Sequence, residues 1–377
     1  MNNKENVLIL FDASHLAYSP TTLQLHAELV KKYNVIITAL HPDGYNGQEA
    51  NIENILYHKC YRVKGRYFFW ALFQGWLLFS KTARCFKKNK LTYKDYFFKY
   101  LFIKKTISSK KFKRIICVDN TYLFFCSLLK TNVDFLSLEL TVNAHLIPLV
   151  DRNVINCVII QSQERYDYLF KNDSLKTFFV QNAPIYNENV LKKERRTLIY
   201  AGSTIKILGF YHCLDYLTKY THEKMVVQGA IFDDDKKKVN REYSNLLKEN
   251  RLLINDEYLE NDDMVEYISN YEIGFCFYYF DDAFMQKHYF NYMSAPSGKM
   301  FKYLAAGVPV VCSSISGFQF VKDFQCGVLI DTLDEEAIRN AILTIRSDYK
   351  FYVENTKRAA EFYCFRKSIT PYLEFIN

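Results

Sequence analysis

No uninterrupted apolar run in the 377-residue chain approaches the ~20 residues of a membrane-spanning helix. The opening residues, Met1-Asn2-Asn3-Lys4-Glu5-Asn6, lack the basic-then-apolar layout of a secretory leader, so none is expected. The ten cysteines form no Cys-x-x-Cys pair and no metal-like cluster with histidine. That pattern points to free thiols in a reducing cytoplasm, not to a disulfide framework. Neither common phosphate-loop signature is present. No Gly-x-Gly-x-x-Gly follows the first apolar run, Val7–Phe11. At Gly298-Lys299 a Walker loop would need a glycine five residues earlier, where Met293 stands. It would also need a Ser or Thr next, where Met300 stands.

What the chain does have is a repeated strand grammar. Val7–Phe11, Val35–Leu40, Ile115–Val118, Val133–Leu138, Val154–Gln161 and Thr177–Gln181 are short apolar runs, each followed by polar residues. Residues 185–196 are polar and charged and read as a linker. The pattern then restarts with Thr197–Ala201, Met225–Gln228, Leu252–Ile254, Ile273–Tyr278, Val310–Cys312 and Val328–Ile330. Helical patterns lie between strands at Thr21–Lys32, Gln163–Phe170, Asp233–Glu249, Asp262–Asn270 and Glu335–Arg346. Short strands of this kind belong to parallel sheets covered on both faces, which bind ligands at the strands' carboxyl ends. With 49% hydrophobic residues, the chain is long enough for two full cores.

The most informative stretch runs from Ser294 to Val311. It reads as loop, helix and buried strand. Pro296 and Ser297 suit a helix start, and Met300, Phe301, Leu304 and Ala305 share one helical face. Gly307 suits a left-handed helix end, and Pro309 stops the helix from resuming. Ser297, Gly298 and Lys299 occupy the entrance, where open N–H groups attract an anion such as a diphosphate. A plain helix with Lys299 in water is the competing reading. Gly202, Ser203 and Lys206 form a second candidate, a glycine turn with a nearby lysine, though an ordinary strand-to-helix turn has the same composition. Glu139, just past a strand end and near His145, is the best single candidate for a base, against a plain surface carboxylate. Asp12 and His15 lie in the loop after the first strand. Asp233-Asp234-Asp235 is read as a helix start, not a metal site.

The run Pro-Ser-x-Lys-x-x-x-Tyr-Leu-Ala-x-Gly-x-Pro-Val-Val, residues 296–311, resembles the donor-site motif of GT-B-fold, nucleotide-sugar-dependent glycosyltransferases of the large family-4-like group. The order of strands and helices extends the resemblance more weakly over the whole chain. The resemblance implies an α/β fold of two Rossmann-like, doubly wound domains facing a cleft, with the donor in the second. It implies that Lys299 and Lys206 meet the diphosphate and that Tyr258 stacks on the base. The chain departs from the pattern twice. Lys302 stands where the family carries the Glu that holds the ribose, and Ser294 where many members carry a Glu near the sugar.

Charge is unevenly spread. The net charge is +8, yet Lys59–Arg114 holds 17 Lys and Arg against one acid, Asp95, which leaves −8 for the remainder. The same zone contains Phe68–Phe79, an aromatic and aliphatic run bordered by Lys64, Arg66, Lys81, Arg84, Lys87 and Lys88. Cations around an apolar segment suit an interfacial helix on an anionic membrane, each worth about 1 kcal/mol near the surface. A core helix with a solvated basic rim is the alternative. Nucleic acid is not expected, because no recognised binding module surrounds the basic run.

Four segments are therefore expected: an acceptor-side domain 1–184, a linker 185–196, a nucleotide-sugar domain 197–350, and a helical segment 351–377 that returns to the first domain. The expected activity is metal-independent sugar transfer from a nucleoside diphosphate, UDP before GDP, to a lipid-linked glycan hydroxyl. Surface polysaccharide or lipopolysaccharide assembly at the inner membrane face would be its setting. Gly202, Ser203, Lys206, Tyr258, Ser297, Gly298, Lys299 and Lys302 are the expected donor residues and Glu139 the catalytic one. A nucleotide-sugar epimerase and a non-catalytic membrane- or partner-binding relative stay open beside it. Lys302 also admits a role against an acidic donor sugar.

Overall fold

The computed structural model describes residues 4–13, 16–40, 50–58, 70, 73–77, 93–141, 143–171, 173–186, 196–204, 206–257, 259, 261–280, 289–294 and 297–377. His15, Tyr258, Pro296, most of 185–196 and the six cations bordering Phe68–Phe79 lie outside the described residues. The chain divides into two compact units, Met1–Val180 with Ile369–Asn377, and Gln181–Ser368.

Unit 1 is built on β1 (Asn6–Leu10), α1 (Pro20–Leu29), β2 (Asn34–Leu40), β3 (Ile55–His58), α2 (Tyr93–Ser109), β4 (Arg114–Val118), α3 (Asn120–Leu128), β5 (Val133–Leu136), β6 (Ile155–Ile160), α4 (Gln163–Phe170) and β7 (Thr177–Phe179). The strands form one parallel sheet in the order β3-β2-β1-β4-β5-β6-β7. The chain steps outward from β1 to β3, then crosses back to the other side of β1. The helices leaving β1 and β4 therefore diverge, and a crevice opens at the carboxyl ends of these two strands. Val7, Leu8, Ile9 and Leu10 are fully buried because both faces of β1 are covered. The chain's last turns belong here. The Tyr372 hydroxyl donates to buried Asp134 Oδ2 at 2.9 Å, and the Tyr33 hydroxyl donates to Asn377 Oδ1 at 2.9 Å.

Unit 2 repeats the logic with β8 (Leu198–Ala201), α5 (Phe210–Lys219), β9 (Met225–Gln228), α6 (Asp233–Glu242), α7 (Ser244–Lys248), β10 (Leu252–Asn255), α8 (Asn261–Ile268), β11 (Gly274–Cys276), α9 (Tyr289–Met293), α10 (Gly298–Ala305), β12 (Val310–Ser313), α11 (Gln319–Phe324), β13 (Gly327–Ile330), α12 (Glu335–Ser347) and α13 (Tyr349–Tyr363). A final helix, α14 (Phe365–Ile376), begins in this unit and ends in unit 1. The sheet is parallel, in the order β10-β9-β8-β11-β12-β13, so its reversal lies between β8 and β11.

Three sequence expectations change. The edge strand β3, with its short and only partly buried run Ile55-Leu56-Tyr57, was not anticipated. The single helix expected over Asp233–Glu249 breaks at Tyr243, whose φ is −122° and whose hydroxyl donates to Asp215 at 2.7 Å. The strand expected over Ile273–Tyr278 is shorter. Beyond Cys276 the backbone leaves the ladder, Tyr278 N–H donating to Ser313 Oγ and Tyr279 N–H to the Ile207 carbonyl.

Helix α10 ends with Gly307 at φ +65°, Gly307 N–H bonding the Leu304 carbonyl and Val308 N–H the Tyr303 carbonyl. That is a Schellman end, which glycine adopts without a Cβ penalty. Tyr303 ties the helix to the sheet. Its buried hydroxyl accepts from Ala201 N–H at 2.7 Å and donates to the Phe275 carbonyl at 3.0 Å. It therefore bridges β8 and β11 where the two strands part. Tyr303→Phe leaves a buried N–H and carbonyl without that partner. The variant is expected to lose about 1–3 kcal/mol in urea unfolding. A loss below about 0.5 kcal/mol would show that other groups take over the bridge.

Candidate functional site

The reversal point of unit 2 gathers most of the residues that the sequence singled out. Gly202 follows β8 at φ +113° and Gly229 follows β9 at φ +144°. A Cβ on Gly229 would lie 2.5 Å from the Gly202 carbonyl oxygen, so the turn after β9 packs on the Gly202 turn with no room for a side chain at 229. Gly202 N–H donates to the Gln228 carbonyl at 2.8 Å, extending the ladder one step past the strand. The Tyr200 hydroxyl donates to the Ser203 carbonyl at 2.9 Å and approaches the Leu208 carbonyl at 3.2 Å, folding the Ser203–Leu208 loop onto β8.

The start of α10 enters the same place. Ser297 is its N-cap, yet its side chain caps none of the first-turn N–H groups. Its side chain lies beside the buried Cys276 thiol, whose pKa burial pushes up. Met300 N–H bonds the Ser297 carbonyl at 2.9 Å, which leaves the Gly298 and Lys299 N–H groups ahead of the helical ladder, where the helix dipole adds positive potential. Gly298 packs tightly. A Cβ on it would meet the Asn182 amide nitrogen at 2.7 Å.

Lys299 carries the strongest signal. Its Nζ is buried and has no hydrogen-bond partner among the described residues. The ammonium lies 4.9 Å from the centre of the Tyr200 ring, and its stem passes 3.7 Å from where a Gly202 Cβ would stand. A buried ammonium held by a ring face alone is costly, and an anion at the helix entrance would complete its solvation. The plain-helix reading, with Lys299 in water, is thereby overturned.

Lys302 follows one turn later and is half-buried. On the helical wheel it falls between Gly298 and Lys299. Burial pulls its pKa down, and no charged group acts on it from the described residues. Ser294 is buried, and its hydroxyl donates to the Phe290 carbonyl at 2.7 Å, back into α9.

Lys206 stands apart from this pair: it is exposed, with its ammonium 5.5 Å from the centre of the Tyr279 ring. Sequence reasoning missed Gln228, which is fully buried. Its amide donates to the Glu257 carbonyl at 2.8 Å and accepts from Asn255 Nδ2 at 2.6 Å, bracing the loop that leads to Tyr258. A polar residue closing an apolar strand was the available signal.

In unit 1, Glu139 is exposed just beyond β5. Its N–H and that of Leu138 both donate to Asp119 Oδ1, at 2.9 and 2.8 Å. Asp119 ends β4 at φ +61°, an uncommon conformation for a residue with a side chain. Burial pushes its carboxyl from 3.8 up to about 7, against the opposing pull of the two N–H donors. His145 is half-buried, and burial lowers its pKa. Asp12 pairs with Lys99 at 2.6 Å.

The shifted Asp119 carboxyl sets a pH dependence. Between 3.8 and about 7 the folded chain holds a proton that the unfolded chain has released, so its contribution to stability falls as pH rises. Asp119→Asn keeps the acceptor oxygen and removes the ionisable group. Its stability relative to wild type is expected to improve steadily from pH 4.5 to 7.5 in urea titrations. A difference constant across that range would show an ionised Asp119 throughout.

The sequence matches no protein-family model and no curated protein. Among solved structures it is similar to an alpha,alpha-trehalose-phosphate synthase (UDP-forming) from Burkholderia vietnamiensis, with TM-score 0.62 at 9% identity, covering 100% of this chain and 99% of that one. It is similar to trehalose-6-phosphate from E. coli bound with UDP-2-fluoro glucose, with TM-score 0.61 at 10% identity and 98% of both chains covered. A UDP-N-acetylglucosamine 2-epimerase follows with TM-score 0.55 at 11% identity, covering 95% and 91%. At such identities the likeness speaks for the fold, which is that of two Rossmann-like units of the GT-B class.

Proposed function

We propose that the protein is a glycosyltransferase that binds a nucleoside-diphosphate sugar in unit 2 and moves its sugar to a hydroxyl. The observation that carries this reading is the buried, unpartnered Lys299 ammonium beside Gly202 at the entrance of α10. A departing diphosphate gathers negative charge there, and a fixed ammonium with a helix N-terminus stabilises it without reorganisation. UDP is favoured over GDP, since the similar structures are described as UDP-forming, UDP-sugar-bound or acting on a UDP-sugar. Glu139 of unit 1 is the proposed base, its backbone held by Asp119 and its carboxylate exposed to meet an acceptor.

The acceptor is proposed to be a lipid-linked glycan at the inner face of the cell membrane, in surface polysaccharide or lipopolysaccharide synthesis. Trp70, Phe73, Trp76 and Leu77 support a membrane contact, being 49–55% exposed within the basic zone. Among the described residues no helix is long and apolar enough to cross a membrane, so the contact would be peripheral.

The test is a thermal-shift panel with UDP, GDP, CMP, ADP and dTDP. At 100 times its dissociation constant the correct nucleotide stabilises by about 2.7 kcal/mol, a shift of several degrees. Lys299→Ala is expected to weaken that nucleotide by about tenfold to a hundredfold, the worth of a charge-assisted hydrogen bond. No shift with any nucleotide would sink the reading and favour a non-catalytic relative. Turnover of the donor without acceptor would favour an epimerase.

Lys302 gives the donor a second constraint. With no charged neighbour at this position, its ammonium is proposed to pair with an anionic group of the donor, such as the carboxylate of an acidic sugar. Lys302→Glu is expected to weaken an acidic-sugar donor at least tenfold more than its neutral counterpart, read by isothermal titration. Equal effects on both would remove Lys302 from donor choice.

A further inference from the structure

Helix α2 presents two apolar faces, and the core uses only one. Tyr96 and Tyr100 meet the Phe125 ring of α3 at 5.6 and 6.2 Å, and Ile103 is fully buried. A second row, Phe98, Leu101, Phe102 and Lys105, recurs at spacings of three and four, so it forms a separate stripe on the helix. This stripe and residues Ile55–Tyr57 of the edge strand β3 line a groove of about 660 Å³. That volume lies in the range of small-molecule sites. Leu56 and Leu101 are 43% and 37% exposed at its margins, and Phe102 lies 4.7 Å from the buried His58 ring that ends β3.

Past Asp95 in its first turn, α2 carries only basic charge, while Glu53 stands just before β3. From Tyr96 to Arg114 the sequence has seven Lys and Arg and no acid. Lys99 is neutralised by Asp12 and Lys113 by Glu5, whereas Lys104 and Lys105 are exposed and form no ion pair among the described residues. A chain of ring contacts links the groove to the exposed aromatic segment through the buried Phe97. Trp70 packs edge-on to Phe97 at 5.4 Å, and Phe97 touches Phe98, which lines the groove, at 5.9 Å.

We propose that the groove between β3 and α2 seats the hydrocarbon chain of an anionic amphiphile, with Lys105 meeting its phosphate head. An apolar trough fits a flexible chain, and the lysine margin selects a negative head. The same charge disfavours a second copy of this chain, whose own groove margin would repel it. The inference extends the membrane-facing part of the preceding reading and is independent of nucleotide binding in unit 2.

The test uses the full chain and dodecyl phosphate below its micellar concentration, with dodecyl maltoside and inorganic phosphate for comparison. Trp70 and Trp76 are the only tryptophans, and Trp70 touches Phe97, so intrinsic fluorescence reports occupancy. Dodecyl phosphate is expected to bind at least tenfold more tightly than dodecyl maltoside. Leu101→Glu should weaken it at least tenfold, and Lys105→Ala should abolish the preference for the charged head. Both positions are exposed, and an unchanged nucleotide thermal shift would verify that the variants fold. Equal binding by wild type and Leu101→Glu would overturn the proposal. So would binding of inorganic phosphate alone, or a concentration-dependent dimer that Leu101→Glu dissolves. Loss of amphiphile binding with nucleotide shifts intact would sink this inference alone, and the reverse result would sink only the donor reading.

Discussion

The hydroxyl of Tyr303 is the contact on which the site in unit 2 depends. It joins Ala201 of β8 to Phe275 of β11 where the sheet's winding reverses. Without a shared partner, the two strand ends would expose a buried N–H and a buried carbonyl. With it, α10 is pinned at one depth and its entrance is delivered to the Gly202 turn. Gly274 belongs to the same arrangement. A Cβ there would lie 2.6 Å from the Tyr303 ring, so the ring reaches the sheet only because that position is glycine. A tyrosine that reads as part of a binding motif is therefore a strut, and its effect on ligand is through position.

Around this strut the site is electrostatically one-sided. Lys299 is buried against an aromatic face and Lys302 is half-buried with its pKa lowered by burial. Both side chains trade hydration for enclosure, a trade that an anionic ligand reverses. The thiols around them, Cys213 and Cys276, are raised in pKa by burial and stay neutral, so they add no competing negative charge. Unit 1 differs. Its reversal point carries acids as well as cations, with Asp12 paired to Lys99 and Asp119 bracing the Glu139 backbone. The buried cation lies in one unit, and the carboxyl whose pKa burial raises lies in the other.

Much of the fold was legible because buried parallel strands are nearly all apolar and each ends in polar residues. The reading placed Met225–Gln228 and Gln163–Phe170 at their observed bounds. It missed β3, an edge strand whose apolar run, Ile55-Leu56-Tyr57, is short and only partly buried. It also overextended the strand at Tyr278, where a side-chain hydrogen bond from outside the ladder claims the backbone.

Composition and spacing by themselves determined the parallel α/β architecture in two halves, the helix ended by Gly307, and the clustering of interest at Gly202 and at Ser297–Lys299. These follow from local rules: apolar period, turn chemistry and capping act over a few residues. Tertiary structure alone decided which of those residues meet. It placed the Lys299 stem on Gly202, drew the Lys206 ammonium to Tyr279, and brought Asp119 under Glu139 across 20 residues. It also raised Asp119 to about 7, a property of enclosure that no neighbouring residue in the sequence encodes. The groove beside α2 came from the same source, because whether a second apolar stripe is buried or open depends on what packs against it.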